Sequence, residues 1–258
     1  TSVVIFCGSD GNDRALLPLP KLNNVDSFVY KGSREVGWIP DTLPEVKTWL
    51  MDNWMSWWSV SVEADDSITM AKASLDDRGI KNYIYAIDKD FNGELYGGMY
   101  IVSHQEHAEW FENTPENNLG YIKAIRTEGG SDKMTGRGDM FLAFQTVFCD
   151  EADGYSAKSV LKKYGTLKSF GYKACEKYLM QAKDRKHLWE LVLDHFVKHL
   201  PHEFEYEDCF GVIHTSSPLK MLDLFFKAAT MRRHEHHIPD VIEDRLKPLG
   251  VKYEHLQF

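Results

Sequence analysis

Carboxylates gather where the apolar runs of this chain stop, and few folds place them so. The run Val3 to Cys7 ends in Gly8-Ser9-Asp10-Gly11-Asn12, and the run Lys81 to Ile87 ends in Asp88-Lys89-Asp90. Between them Glu63-Ala64-Asp65-Asp66 opens a segment with Ile68 and Leu75 on one helical face, its acids first, where the helix dipole favours them. Buried strands that hand polar residues to a following turn or helix describe an α/β sheet whose site lies at the carboxyl ends of its strands. The expected fold is therefore α/β, a mainly parallel sheet flanked by helices.

The rest of the chain divides by pattern. Ser27 to Tyr30 reads as a second short strand, and a helix starts near Pro44, which suits an early helical position, and runs to Met55. The interval from Glu106 to Gly138 is polar and holds glycines, so it reads mostly as connection. Beyond it helical spacing continues to the end, over Met140 to Phe148, Ser159 to Tyr164, Tyr172 to Met180, His187 to His199 and Pro218 to Thr230, with a short turn near Val241. Residues 1–150 are expected to form the α/β core and 151–258 a helical region.

At 258 residues the chain can bury a core for one domain, or for a main domain with an appendage. A net charge of −9 argues against a generally basic nucleic-acid coat. Its distribution is uneven, however. Six lysines (Lys158, Lys162, Lys163, Lys168, Lys173, Lys177) stand against one acid, Glu176, so a basic face beside an acidic pocket is expected. The four cysteines (Cys7, Cys149, Cys175, Cys209) are scattered and form no CxxC pair, which points away from a zinc knuckle or a disulfide framework. No run approaches the roughly 20 apolar residues of a spanning helix, and a soluble, cytoplasmic protein with no membrane partner is expected. Thr1 leads straight into VVIF, which reads as an interior strand, so the sequence is expected to be a fragment.

Convergent acids repel one another in low dielectric, and hard divalent cations relieve that repulsion. Mg²⁺ or Mn²⁺ prefers oxygen ligands, and two such ions about 4 Å apart stabilise both the attacking and leaving oxygens of an in-line phosphoryl displacement. Asp150 and Asp153 add a further pair of acids just after the helix Met140 to Phe148.

These motifs carry a family resemblance. Val62-Glu63-Ala64-Asp65-Asp66 followed by Ile87-Asp88-Lys89-Asp90-Phe91 resembles the paired acidic motifs of the flap endonuclease and 5′→3′ exonuclease superfamily, above all its phage-type members. Tyr30-Lys31-Gly32-Ser33-Arg34 resembles the basic motif near the scissile phosphate, and Asp10 stands in the place of an early metal-facing aspartate. Downstream, Gly136-Arg137-Gly138, then Gln145, then Asp150-Glu151-Ala152-Asp153-Gly154-Tyr155 is similar to the segment that supplies the last acid pair. The resemblance covers Val3 to Met180.

It implies a PIN-like 5′-nuclease core followed by a divergent helical-hairpin DNA-binding segment. The implied activity is that of a metal-dependent 5′ nuclease, hydrolysing DNA phosphodiesters in phage-type replication or recombination. Two Mg²⁺ or Mn²⁺ ions would be held by Asp10, Glu63, Asp65, Asp66, Asp88, Asp90, Asp150 and Asp153, with Glu63 acting through water. Lys31 and Arg34 would steady the scissile phosphate, and with Lys158, Lys162, Lys163, Lys168 and Lys173 would contact DNA that carries a 5′ end or branch.

The chain also departs from the family. Its first Asp-bearing strand is absent, Cys149 replaces the glycine before the last acid pair, and the lysine-bearing segment Ser156 to Met180 replaces a glycine-rich hairpin. Two alternatives follow: a catalytically inactive DNA-binding relative, or a split nuclease completed by another chain, which besides DNA or a replication complex is the expected partner. Trp49, Trp54, Trp57 and Trp58 read as packing residues rather than base-stacking platforms. His234-Glu235-His236-His237 lacks the HExxH spacing and reads as a polar turn.

Overall fold

The computed structural model describes residues 2–8, 13–22, 30–31, 40–86, 88–93, 97–102, 108–114, 118–127, 129–148, 150 and 153–256. Asp10, Arg34 and most of the strand expected over Ser27 to Tyr30 lie outside the described residues.

The first half is α/β. Strand β1 (Ile5–Gly8) pairs in parallel with β2 (Ser56–Ser59), and helix α1 (Leu43–Asn53), with Pro44 in its first turn, precedes β2. Helix α2 (Ala64–Asp77) then leads to β3 (Tyr83–Ala86), which pairs in parallel with β4 (Gly97–Val102). Strand β5 (Ala108–Asn113) closes this sheet antiparallel to β4. The buried residues of α2 are Asp66, Ser67, Thr69 and Lys72, all polar. A helix that turns a polar face inward is organised around a site rather than around an apolar core.

That core lies further along. Helix α3 (Gly138–Val147) is buried at every position, as a helix apolar nearly all round must be. It packs against α6 (Arg185–His199) and α7 (Pro218–Ala229), where Trp189, Phe196, Phe225 and Phe226 are fully enclosed. One apolar cluster of buried residues extends from Leu19 to Tyr253. Asp139 is the acid within this core: its Oδ2 accepts from Arg185 Nε at 2.6 Å, and Arg245 Nε stands 3.8 Å from Oδ1. Helices α4 (Ala157–Lys163) and α5 (Tyr172–Leu179) complete the helical part. Ser156, Asp184 and Ser217 cap α4, α6 and α7 by accepting backbone N–H bonds.

Several expectations need correction. The single, mainly parallel sheet is not present among the described residues, where two parallel pairs stand beside antiparallel hairpins. The interval read as connection holds β5 and the hairpin of β6 (Tyr121–Arg126) and β7 (Asp132–Arg137). Few side chains of that hairpin face the core, Ile122 and Met134 among them, so the alternation that betrays a strand is diluted by lysine, arginine and aspartate. The C-terminal part is not wholly helical either, since β8 (Phe204–Glu207) and β9 (Ile213–Ser216) form an antiparallel hairpin. Trp49, Trp54, Trp57 and Trp58 are exposed, because α1 buries none of its residues and β2 turns its two tryptophans outward. Among the described residues no helix is long and apolar enough to cross a membrane.

The glycines of Gly136-Arg137-Gly138 have a structural cause. A Cβ on Gly136 would meet the carbonyl oxygen of Tyr121 at 2.3 Å, and Gly138 adopts φ +70, where a Cβ would stand only 2.7 Å from the Asn118 carbonyl oxygen. Gly138→Ala is expected to destabilise the fold by about 2 kcal/mol or more, through left-handed strain and overlap together, read as a lower midpoint in urea with an unchanged slope.

Candidate metal centre

Among the described residues two carboxylate groups form. Glu63 is the N-cap residue of α2, in extended conformation, and Asp65 and Asp66 occupy the first turn, at the positive end of the helix. One oxygen from each of Glu63, Asp65 and Asp66 lies within 4.8 Å of the others. The second group draws on two segments. Asp90 sits in the 3-10 turn Lys89–Asn92 after β3, where the Asp88 carboxylate accepts its N–H at 3.0 Å. Asp150 and Asp153 lie in the turn after α3, which closes with reciprocal 3.1 Å main-chain bonds between Asp150 and Tyr155. Asp90, Asp150 and Asp153 again place one oxygen each within 4.8 Å.

Tyr30 and Lys31 make one site of the two groups. The Tyr30 hydroxyl lies 3.3 Å from Glu63 Oε2 and 3.2 Å from Asp153 Oδ2. Lys31 Nζ pairs with Glu63 and stands 3.9 Å from Asp153 Oδ1, while its N–H donates to the Asp153 carbonyl at 2.7 Å. Burial first, and then the neighbouring acids Asp153 and Glu63, raise the Tyr30 pKa in spite of Arg14, so the phenol keeps its proton and remains a donor to carboxylates.

Among the described residues Arg14 and Lys89, with Lys31, answer the acids. Arg14, almost wholly buried in the 3-10 turn Asp13–Leu16, places Nη1 2.5 Å from Glu63 and Nη2 2.5 Å from Asp66. It also donates to the Thr230 carbonyl at 3.1 Å. Lys89 Nζ reaches Asp150 Oδ2 at 2.5 Å, and Gln145 Nε2, from α3, donates to Asp90 Oδ1 at 2.7 Å. Compensation is incomplete. Burial, then the charges of Glu63 and Asp66, pushes Asp65 up to about 6, and burial with Asp88, Asp150 and Asp153 pushes Asp90 up to about 7. Asp66 is raised too, by burial first, and its Oδ2 is buried with no hydrogen-bond partner. Oxygen-only donor groups that converge, resist ionisation and leave a buried oxygen unsatisfied fit a hard divalent cation.

The structure thus brings together Glu63, Asp65 and Asp66, and separately Asp90, Asp150 and Asp153, with Lys31 between them. Asp88 is exposed and acts as a turn cap rather than a member of either group. Asp10 and Arg34 lie outside the described residues. Of the expected DNA-contacting lysines, Lys158 lies over the Phe148 ring at 3.9 Å and Lys163 donates to the Lys21 carbonyl at 2.8 Å. Lys162, Lys168 and Lys173 are exposed. His237 is tied to Asp244 and to the Arg233 N–H, as befits a built turn. Sequence reasoning missed Arg14, and it gave Tyr30, Lys89 and Gln145 no roles of their own. No family model and no curated protein matches the chain.

Two outcomes follow for the metal-free chain. A carboxyl whose folded pKa lies above its unfolded value holds its proton more tightly when folded, so its contribution to stability is present at low pH and lost as pH rises through the folded value. With Asp65 at about 6 and Asp90 at about 7, the melting temperature in EDTA is expected to fall between about pH 5 and about pH 7.5, and Mg²⁺ is expected to flatten the fall. A flat profile in EDTA would contradict this electrostatic account. Arg14→Gln leaves Glu63 and Asp66 without their buried partner and is expected to cost about 3 kcal/mol in chemical denaturation.

Proposed function

We propose that the chain is a divalent-metal-dependent 5′ nuclease acting on DNA, a PIN-like core with a helical DNA-binding region, of the phage type used in replication or recombination. One observation carries the reading: two carboxylate triads from separate segments meet at a tyrosine and a lysine. Asp65, Asp66, Asp90, Asp150 and Asp153, with Asp10, would hold Mg²⁺ or Mn²⁺, and Glu63 lies close enough to act through water. When bound, such ions supply charge stabilisation at phosphoryl oxygens and a more acidic water.

The chain's own groups have separate tasks. Lys31 holds its ammonium at the junction of the triads from a turn with φ 58, a fixed position suited to the charge that develops on a scissile phosphate. Arg34, three residues on, would add a bidentate fork. Tyr30 remains protonated and keeps Glu63 and Asp153 oriented. Lys162, Lys168 and Lys173 are exposed on the segment that follows Asp153, where they would bind the duplex backbone without regard to sequence.

A second reading has its own support. Arg14 pairs with Glu63 and Asp66 from within the protein, as expected of a DNA-binding relative whose first triad has become a structural ion pair. Incubation with 5′-labelled duplex and flapped DNA in Mg²⁺, Mn²⁺ or EDTA separates the two. Metal-dependent release of short 5′ products supports the nuclease, whereas binding without cleavage supports the relative. For the nuclease, Asp153→Asn is expected to slow cleavage by about a hundredfold or more while leaving DNA affinity within a few fold. Full cleavage by that variant would refute the assignment of the second triad.

A further inference from the structure

The β6–β7 hairpin carries charge that nothing described so far uses. Side chains alternate along a strand, so Tyr121, Lys123 and Ile125 share one face with their register partners Arg137, Thr135 and Lys133. The other face holds Ile122 and Met134, both buried in the apolar core. Asp132, the one acid of the two strands, falls on that inner side, opposite Arg126 in register. The outward face of the ribbon is left with cations. Lys123 and Lys133 are exposed, and among the described residues neither makes an ion pair or a side-chain hydrogen bond. They are diagonal neighbours across the ribbon, roughly 7–8 Å apart, where like charges repel. Arg137 adds a third charge at the base, held over the Tyr121 ring at 5.6 Å.

Solubility alone does not account for this choice. The chain holds 39 acids against 30 lysines and arginines, and either sign keeps a ribbon wet, yet this face takes cations only. A repulsion left standing between two lysines is relieved by negative charge that arrives from outside. Single strands call for aromatic platforms on which bases stack. The one ring here, Tyr121, already lies under a guanidinium, so the regular phosphates of a duplex fit better. The place fits as well. Arg137 is the N-cap of α3, and Gln145, which holds Asp90, stands about 12 Å further along that helix. One turn of duplex, about 34 Å, spans that distance.

We propose that the outward face of the β6–β7 hairpin, through Lys123 and Lys133, takes backbone phosphates of a nucleic-acid duplex without regard to base sequence. That this duplex is the DNA being cut rests on the nuclease reading. The contact is additional to the lysines of Ser156 to Met180 and steadies the duplex on the α3 side of the carboxylates.

Fluorescence anisotropy tests it, with a labelled duplex of about 20 base pairs in EDTA, titrated from about 50 to about 200 mM salt. Each phosphate contact contributes about 0.9 to the slope of log affinity against log salt, so K123Q/K133Q is expected to flatten that slope by about 2. Across the range the native chain then loses about tenfold more affinity than the variant. K123R/K133R keeps the charges and the native slope. Should K123Q/K133Q fail to melt like the native chain, Lys133→Gln alone is measured, with an expected change of about 1. Labelled poly-glutamate covers the other class of partner: weaker poly-glutamate binding by K123Q/K133Q with an unchanged duplex slope assigns the face to an acidic protein and overturns the inference. Native duplex binding with no change of slope in the glutamine variants overturns it too, and leaves the nuclease reading intact. No duplex binding by the native chain also overturns it, and cleavage of 5′-labelled DNA in Mg²⁺ then decides the nuclease reading by itself.

Discussion

Like charges confined in low dielectric are the constraint around which this molecule is arranged. Six carboxylates stand in two groups joined through one tyrosine, and such a cluster persists only where cations or protons offset the repulsion. Arg14, Lys31 and Lys89 provide the cations, and the upward shifts of Asp65 and Asp90 show where they fall short. Much of the surrounding structure follows from holding those three side chains in place. The turn at Lys31 with positive φ and the capped turn at Asp90 each hold a site residue in place, and α2 adds Asp66 from its polar inner face.

The apolar half of the molecule serves the same end. Helix α3 supplies Gln145 to Asp90 from its last turn, ends just before Asp150, and is anchored at its start by the buried Asp139, which faces Arg185 and the buried Arg245. Its aromatic packing against α6 and α7 therefore sets the position of the second triad. An ion network of this kind is weak support for stability, and here its clearer effect is to fix α3 against α6, which carries Arg185, and against the segment that carries Arg245.

Sequence pattern revealed the elements whose periodicity was strong. α2, α3, α6 and α7 each fall within a few residues of their expected ranges, since apolar spacing over ten or more residues leaves little choice. The β6–β7 and β8–β9 hairpins were illegible because their strands are short and hold few fully buried apolar residues, Ile122, Met134 and Tyr206 among them. For the site the acids were visible and their partners were not. Glu63, Asp65, Asp66, Asp90, Asp150 and Asp153 could be picked out by local spacing, whereas Arg14 meets Glu63 and Asp66 across separations of 49 and 52 residues, which no local window reveals.

The longest of these links has a consequence for how the protein comes to be. Arg14 donates to Thr230 across 216 positions, and Asp66 accepts from Arg232 across 166. During synthesis the acidic residues of the first triad leave the ribosome long before the segment that closes over them. Closing such long loops is slow and its entropy is paid before the contacts form. The partners that close the first triad are therefore complete only once residue 232 has left the ribosome.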